Sequence, residues 1–490
     1  MSRIKKQLLF FLATLTFAGL SAQTNLVLQN TDLPQNHLIN PALRPSSSLY
    51  IGLPVISGIR LNLKSNFFSF SDVFMKDKSG DSVISILHKG SDPAAFLAKI
   101  KSKNIIIPEA SVQIFGLGFS VGHDGYVFID INDRIEGNLV LPHDLFSLIL
   151  EGNKQFAGSS INLSQFGGDF KYYREAGLGY SMNITERLRV GIKGKMLFGI
   201  AGLSIDNRSF QVAVDKNYIH TMDADLVVNL SGPFSVKLNS DHTLNNIAID
   251  ESRINTSAGL KTLLSGMNNT GMGLDAGATY DITDKFTISA AMTDLGFIRW
   301  KNDVSNLEAK SKYVFRGVNI IDVINGTKTV DELGNEMADS LKKAFSFYDS
   351  HKSFSETLPY NLTFGASYHL SKIVSFGLTS ESRISKYQVW ETVELTANLN
   401  VIKNISAYLS YSLSNQQVNY LGAGVVAKSG IFQFYLLSDK IPLMWNKINV
   451  DKVNSITIPA NMNTLNLRMG VNLIFGKTGR ENLKSDPMIR

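Results

Sequence analysis

Residues 273–300 read GLDAGATYDITDKFTISAAMTDLGFIRW, and the order of their side chains decides the fold. Starting one residue earlier, Met272, Leu274, Ala276, Ala278, Tyr280 and Ile282 share one face, and Gly273, Asp275, Gly277, Thr279 and Asp281 share the other. A period of two is that of a β-strand. After Thr283, Asp284 and Lys285 the pattern resumes, with Phe286, Ile288, Ala290 and Met292 opposite Thr287, Ser289, Ala291 and Thr293. Two such runs joined by three residues predict a hairpin. Beyond Met292 the alternation changes parity, with Asp294 and then Leu295 and Phe297 on the opposite count. That change predicts a β-bulge or, in a membrane barrel, the strand's exit from the membrane, and it marks where a side opening would form most easily.

An alternating hairpin fits a soluble sandwich, whose apolar face meets a core, or a membrane barrel, whose apolar face meets lipid. The same pattern recurs as AGLGYSMNITERLRVGIKGKMLF from Ala176, NLTFGASYHLSKIVSFGLTS from Asn361 and VELTANLNVIKNISAYLSYSL from Val393. Weaker hairpins turn at Gly122 to Gly125 and Lys428 to Gly430. The six tight turns alternate with connections that are mostly long, which is the habit of an outer-membrane barrel with periplasmic turns and external loops. One strand from Ser48 precedes the six hairpins and one ending at Phe475 follows them, so the expectation is a transmembrane antiparallel up-and-down β-barrel of about 14 strands. Both termini then fall in the periplasm. The stretch SFQVAVDKNYIHTMDADLVVNL from Ser209 either raises the count to 16 or forms a hairpin within an external loop.

Charge assigns the faces. Leu188, Val190, Ile192, Met196 and Phe198 lie on one side of their strand, and Arg189, Gly191, Lys193 and Lys195 on the other. A Lys or Arg facing lipid costs roughly 2–4 kcal/mol near the bilayer midplane, so the basic side is expected to line the lumen. Asp275, Glu394 and Arg468 are expected there for the same reason, Arg468 alternating with outward Leu467 and Met469 in the last strand. Tyr180, Tyr280, Tyr368 and Phe286 lie near tight turns, where an interfacial aromatic girdle would fall.

The chain opens MSRIKKQLLFFLATLTFAGLSAQ, with three basic residues, a short apolar run and small residues ending at Ala22. It predicts a secretory signal peptide over 1–22, then a plug or periplasmic lead-in over 23–46, a barrel over 47–476 and a periplasmic tail over 477–490. Removing the leader lowers the formal charge from +6 to +3, too weak a bias to argue for nucleic acid. There is no cysteine, hence no disulfide framework, acylated cysteine or thiolate metal site. The eight histidines show no metal-ligand spacing, and neither a Gly-x-Ser-x-Gly elbow nor a phosphate loop occurs. No catalytic residue, metal or cofactor is expected, and the chain does not read as an enzyme.

Ahead of the first strand, LQNTDLPQNHLINPALRPSSS centres on Asn40, Pro41 and Ala42. With GKMLFGI from Gly194, LPHDLFSLILEGN from Leu141 and RMGVNLIFG from Arg468, the chain resembles an uncharacterised Bacteroidota-type outer-membrane barrel family related to the long-chain fatty-acid transporter (FadL) group. The resemblance implies a 14-stranded barrel, a plug containing Asn40, Pro41 and Ala42, and passage of small hydrophobic or amphipathic molecules. The alternative is a non-transporting barrel that serves a secretion or surface protein as a scaffold through its external loops. Its other partners would be outer-membrane lipid and the barrel-insertion machinery. HDLFSLIL from His143, AGLKTLLSGM from Ala258 and the helical spacing of Val330, Leu333, Met337, Leu341 and Ala344 predict short amphipathic helices in those loops. They would serve as landing sites for ligand or as lids on the barrel mouth. Luminal Arg189, Lys193 and Lys195 would attract an anion or pair with luminal acids.

Overall fold

A computed structural model describes residues 32–76, 83–86, 88, 91–257, 269–315, 345–402, 404–415, 417–441, 445–449, 455–459 and 464–476. The leader, the beginning of the 23–46 segment, the helices expected from Ala258 and Val330, and the tail lie outside these residues.

Among the described residues, 14 antiparallel strands close a barrel. They are β1 (Leu49–Gly52, continuing as Ile59–Ser65), β2 (Lys103–Val121), β3 (Gly125–Pro142), β4 (Gly167–Asn183), β5 (Leu188–Val214), β6 (Asn269–Thr283) and β7 (Phe286–Trp300). The second half is β8 (Tyr360–His369), β9 (Val374–Ile384), β10 (Val389–Ile402), β11 (Ile405–Ser414), β12 (Gln417–Ser429), β13 (Phe432–Ser438) and β14 (Thr464–Phe475). Each strand pairs with the next, and β14 returns to β1 with Tyr50 opposite Ile474 and Leu61 opposite Leu467. Closure leaves no free sheet edge, which is what a strand-built membrane span requires, since lipid offers backbone groups no hydrogen bonds. Among the described residues, no helix is long and apolar enough to cross a membrane.

The two faces divide as the alternation requires. Leu178, Ile192, Met196, Met272, Phe364, Leu395, Leu409 and Leu436 are exposed on the outside, while Lys193, Lys195, Asp275 and Glu394 are buried inside. Tyr180, Tyr280 and Tyr368 are exposed close to the tight turns, on the outer face. In β7 the parity change is a bulge. Leu274 pairs with Leu295 and Ala276 with Met292, so Thr293 and Asp294 together oppose Asp275. Asp294 takes φ 65°, a left-handed conformation that Asp adopts more readily than bulkier residues.

One end of the barrel carries the tight turns and the other the long connections. At the loop end the wall outgrows the barrel: β5 runs for 27 residues, and its far half pairs with His220–Ser231, which pairs in turn with Val304–Phe315. The Ser209 stretch is therefore a hairpin in this extension, and the barrel keeps 14 strands. The helix expected at His143 forms as α1 (His143–Glu151). Its Leu145 and Leu148 pack against a cluster with Ile161, Val212 and Met222, and its Phe146 and Leu150 against one with Phe67, Phe96 and Ile100. The short connection between β9 and β10 lies over the same end, with Lys386 Nζ 2.6 Å from Asp206 Oδ1 of β5 and Trp390 packed on Ile105, Ile107 and Val140.

Candidate functional site

Residues 32–46, which precede β1, contact the inner face of the barrel wall. Pro34 sits at the start of a single 3-10 turn, Pro34–Leu38, where its fixed φ suits a helical first position and its missing N–H costs nothing. The chain then bends through Asn40, whose Oδ1 accepts the Ala42 N–H at 2.9 Å, a local turn of the kind Asn favours. Both ends of the segment are tied at the turn end. Asp32 accepts Ser46 Oγ at 2.7 Å and faces Lys428 Nζ at 2.9 Å, and Arg44 donates to the carbonyl of Asp124 in the β2–β3 turn. Between these ties the segment runs along the inner face of the wall.

Its contacts with the wall are specific. Gln35 and Asn472 exchange side-chain amide bonds, at 2.8 and 3.0 Å, and Gln35 Nε2 also donates to the Ser57 carbonyl at 3.0 Å. Asn40 Nδ2 donates to the carbonyls of Ala278 and Ala290, both at 3.4 Å, and Ser181 Oγ donates to the carbonyl of Ala42 at 3.2 Å. Glycines make room for it: a Cβ at Gly191 would strike the Pro41 carbonyl, and one at Gly277 the Asn40 side chain. Asn40, Pro41 and Ala42 therefore lie against β4, β5, β6 and β7, all of them buried.

Two cavities lie on either side of this loop. The one toward the loop end, of about 110 Å³, is lined by Gln35, Leu38 and Ile39 of the segment. The one toward the turn end, of about 150 Å³, is lined by its Leu43, and none of the described residues lines both. Strand β7 shows the division directly. Thr287 and Ser289 face the turn-end cavity, the Ala290 carbonyl meets Asn40, and Thr293 and Asp294 face the loop-end cavity.

A charged network braces the wall around the loop-end cavity. Lys193 Nζ lies 2.9 Å from both Asp130 Oδ1 and Glu175 Oε1. Lys195 Nζ lies 2.8 Å from Asp275 Oδ1 and 2.6 Å from Asp294 Oδ1. Arg134 reaches Glu136, Glu175 and Asp294 within 2.6–2.8 Å. Across the lumen Glu109 receives Arg60 and Lys64, at 3.2 and 3.6 Å, and also Arg383. In register across β1 and β14, Arg60 stands directly opposite Arg468, two like charges on one luminal face. Among the described residues, six basic side chains line this cavity, Arg60, Lys64, Arg134, Lys195, Arg383 and Arg468, against three acidic ones, Glu175, Asp294 and Glu381. The lining is formally positive.

Of the residues singled out in the sequence, Lys193, Lys195 and Asp275 belong to one network. Arg468 lines the loop-end cavity on the opposite wall, and Arg189 lines the turn-end cavity with its Nε donating to Asn183 Oδ1 at 3.0 Å. Glu394 is buried on β10, opposite Thr379 and Ser412. The sequence left Gln35, His37, Asp130, Arg134, Glu175 and Glu109 unmarked, because acid–base partners that meet across a barrel are far apart in the chain. Only Asp294 had a local sign, the break in alternation.

Barrels of other proteins align with the chain over nearly its whole length. The toluene transporter TbuX of Ralstonia pickettii is 11% identical, with 91% of this chain and 94% of that one covered and a TM-score of 0.40. The toluene transporter TodX of Pseudomonas putida is 9% identical, with 92% and 93% covered and a TM-score of 0.37. The translocator domain of the autotransporter NalP from Neisseria meningitidis is 8% identical, with 88% and 89% covered and a TM-score of 0.30. No curated protein matches the chain. The family model for DUF5723, described as a family of unknown function, matches residues 41–439, and the chain belongs to that family.

Proposed function

We propose that this protein is an outer-membrane channel or transporter for small hydrophobic or amphipathic molecules, gated by its N-terminal segment, with the tight turns and both termini in the periplasm. One observation carries the reading. Residues of the segment from Asp32 to Ser46 line two luminal cavities, Gln35, Leu38 and Ile39 the loop-end one and Leu43 the turn-end one, so movement of this segment would widen the way between them. The cavity beyond it offers Leu38, Ile39 and Ile59 beside Arg60 and Arg468, an apolar patch next to positive charge, which suits a molecule with an apolar body and a polar or acidic head.

The test is deletion of residues 23–45. In planar bilayers the shortened protein should conduct several-fold more than the full chain. Equal conductance would remove the gating role.

The scaffold reading has one observation in its favour. The extension at the loop end exposes Val314 and Tyr348, apolar side chains above the barrel itself. Affinity purification from native membranes separates the two, since a stoichiometric protein partner together with no ligand uptake would support the scaffold.

A further inference from the structure

The wall of the loop-end cavity formed by β14, β1 and β2 carries polar groups that the barrel itself leaves unmet. Asn62 stands opposite Asn466 across β1 and β14, and opposite Glu109 across β1 and β2. Its Nδ2 donates to Glu109, which leaves its Oδ1 for another partner, and that oxygen has no hydrogen-bond partner among the described residues. Asn466 Oδ1 lacks one as well. On β2, Gln113 Oε1 accepts the Tyr50 hydroxyl at 3.0 Å, while its Nε2 meets no acceptor among the described residues. Asn62, Asn466 and Gln113 are only 5, 8 and 2% exposed, and all three line the cavity. A buried amide left in this state costs stability, so its repetition along one wall calls for an explanation in a ligand.

The charge of the wall says what kind. Two residues before Asn62 and two after Asn466, Arg60 and Arg468 face each other on the same luminal row. Arg60 donates from Nη2 to Glu109 at 3.2 Å, and its buried Nε has no hydrogen-bond partner among the described residues. Glu109 is shared with Lys64, Arg383 and Asn62. Of the charges gathered here, Arg60, Lys64, Arg383 and Arg468 outnumber Glu109 and Glu381, and Asp439 and Lys440, which follow β13, offset each other. Like charges directly opposite on neighbouring strands repel. An anion between them replaces that repulsion with charge-assisted contacts.

The unmet groups are of two kinds. Arg60 Nε and Gln113 Nε2 donate, whereas Asn62 Oδ1 and Asn466 Oδ1 accept. A bare carboxylate offers acceptors only and would satisfy the first kind alone. An oxyanion with a hydroxyl beside it answers both.

We propose that this wall is a binding site for a hydroxylated oxyanion: the anionic group, carboxylate or phosphate, rests between Arg60 and Arg468, and the neighbouring hydroxyl donates to Asn62 or Asn466. The site rests on the transport reading above and names the head group of the molecule carried, whose apolar part meets Leu38, Ile39 and Ile59.

Isothermal titration calorimetry of the full-length protein in detergent tests this with two matched pairs, lactate beside propionate and glycerol phosphate beside propyl phosphate, and with glycerol as the uncharged control. The hydroxylated member of at least one pair should bind about tenfold tighter or more than its hydroxyl-free partner, and glycerol should not bind. The pair that responds tells carboxylate from phosphate. Arg468→Gln should weaken both members of that pair by about tenfold or more, whereas Asn62→Leu combined with Asn466→Leu should weaken only the hydroxylated one, to the level of its partner. Folding of each variant is checked by its heat-modifiable mobility on gels. Absence of saturable binding, equal affinities within both pairs, glycerol binding as tightly as the anions, or affinities unchanged in the folded variants would each remove the site. Binding without ligand uptake keeps the site and removes transport, while higher conductance of the 23–45 deletion without binding keeps the channel and removes the site.

Discussion

The carboxylate of Asp275 accepts the backbone N–H of Asp294 at 2.7 Å, closing the bulge in β7 from the neighbouring strand. The same carboxylate holds Lys195, and the bulged Asp294 turns its own carboxylate to Lys195 and Arg134. One inserted residue thus adds a carboxylate to the luminal network and receives the hydrogen bond that keeps it there. Asp275→Ala leaves that N–H without its acceptor and removes one partner of a buried lysine. Breaking a buried pair in this way costs about 3 kcal/mol, and Lys195 retains Asp294, so the loss should not exceed that. Equilibrium urea unfolding in lipid vesicles measures it.

Gly191→Val and Gly277→Val should each unseat the inserted loop. The new side chains would collide with Pro41 and Asn40 on the luminal face while the outer face stays unchanged. The expected outcome is a folded barrel whose conductance in planar bilayers approaches that of the 23–45 deletion. A conductance equal to wild type would show that the glycines are not needed for seating.

Asn36→Leu should tighten the seat. Replacing an unsatisfied buried amide by an apolar side chain of similar size removes a penalty of about 1–3 kcal/mol. The open fraction should drop by roughly 5- to 150-fold at fixed pH, as read in single-channel recordings.

Ile192→Lys places a charge on the outer belt, where Ile192 is 53% exposed. Its neighbour Lys193 is tolerated because it points inward onto Asp130 and Glu175. The outward lysine should destabilise the barrel by roughly 2–4 kcal/mol in vesicles if it sits near the midplane, with a smaller effect in detergent.

At the loop end, Asp72 accepts the N–H and hydroxyl of Ser69, both at 2.7 Å, and pairs with Lys99. Burial pushes its carboxyl up, but the bonds from Lys99 and Ser69 outweigh this and hold it below the usual carboxylate range. A lowered carboxyl contributes stability above its unfolded value and loses it as pH falls through the folded one. Amide protection factors around Ser69 to Val73 should therefore fall under acid, and Asp72→Asn should lower them already at neutral pH and flatten the acid dependence.

Period-two alternation decided the barrel, because lipid and lumen impose opposite polarity on successive side chains and leave that demand in every strand. The same signal put Lys193, Lys195, Asp275 and Arg468 on the inner face and located the bulge at Asp294, each from a few neighbouring residues. The hairpin from Ser209 was ambiguous, since alternation is alike in a membrane strand and in a sheet that continues beyond the membrane. Only pairing with the far half of β5 assigned it to the extension.

What the tertiary structure alone decided is how the luminal groups pair. His37 and Asp130 are 93 residues apart, Lys195 and Asp294 are 99 apart, and Gln35 and Asn472 are 437 apart. Strand order and register bring them within a few ångströms. A local pattern tells which face a side chain takes, because that depends only on the chain's own pleat. Which residue it meets across the lumen depends on closure of all 14 strands, and that is a property of the whole barrel.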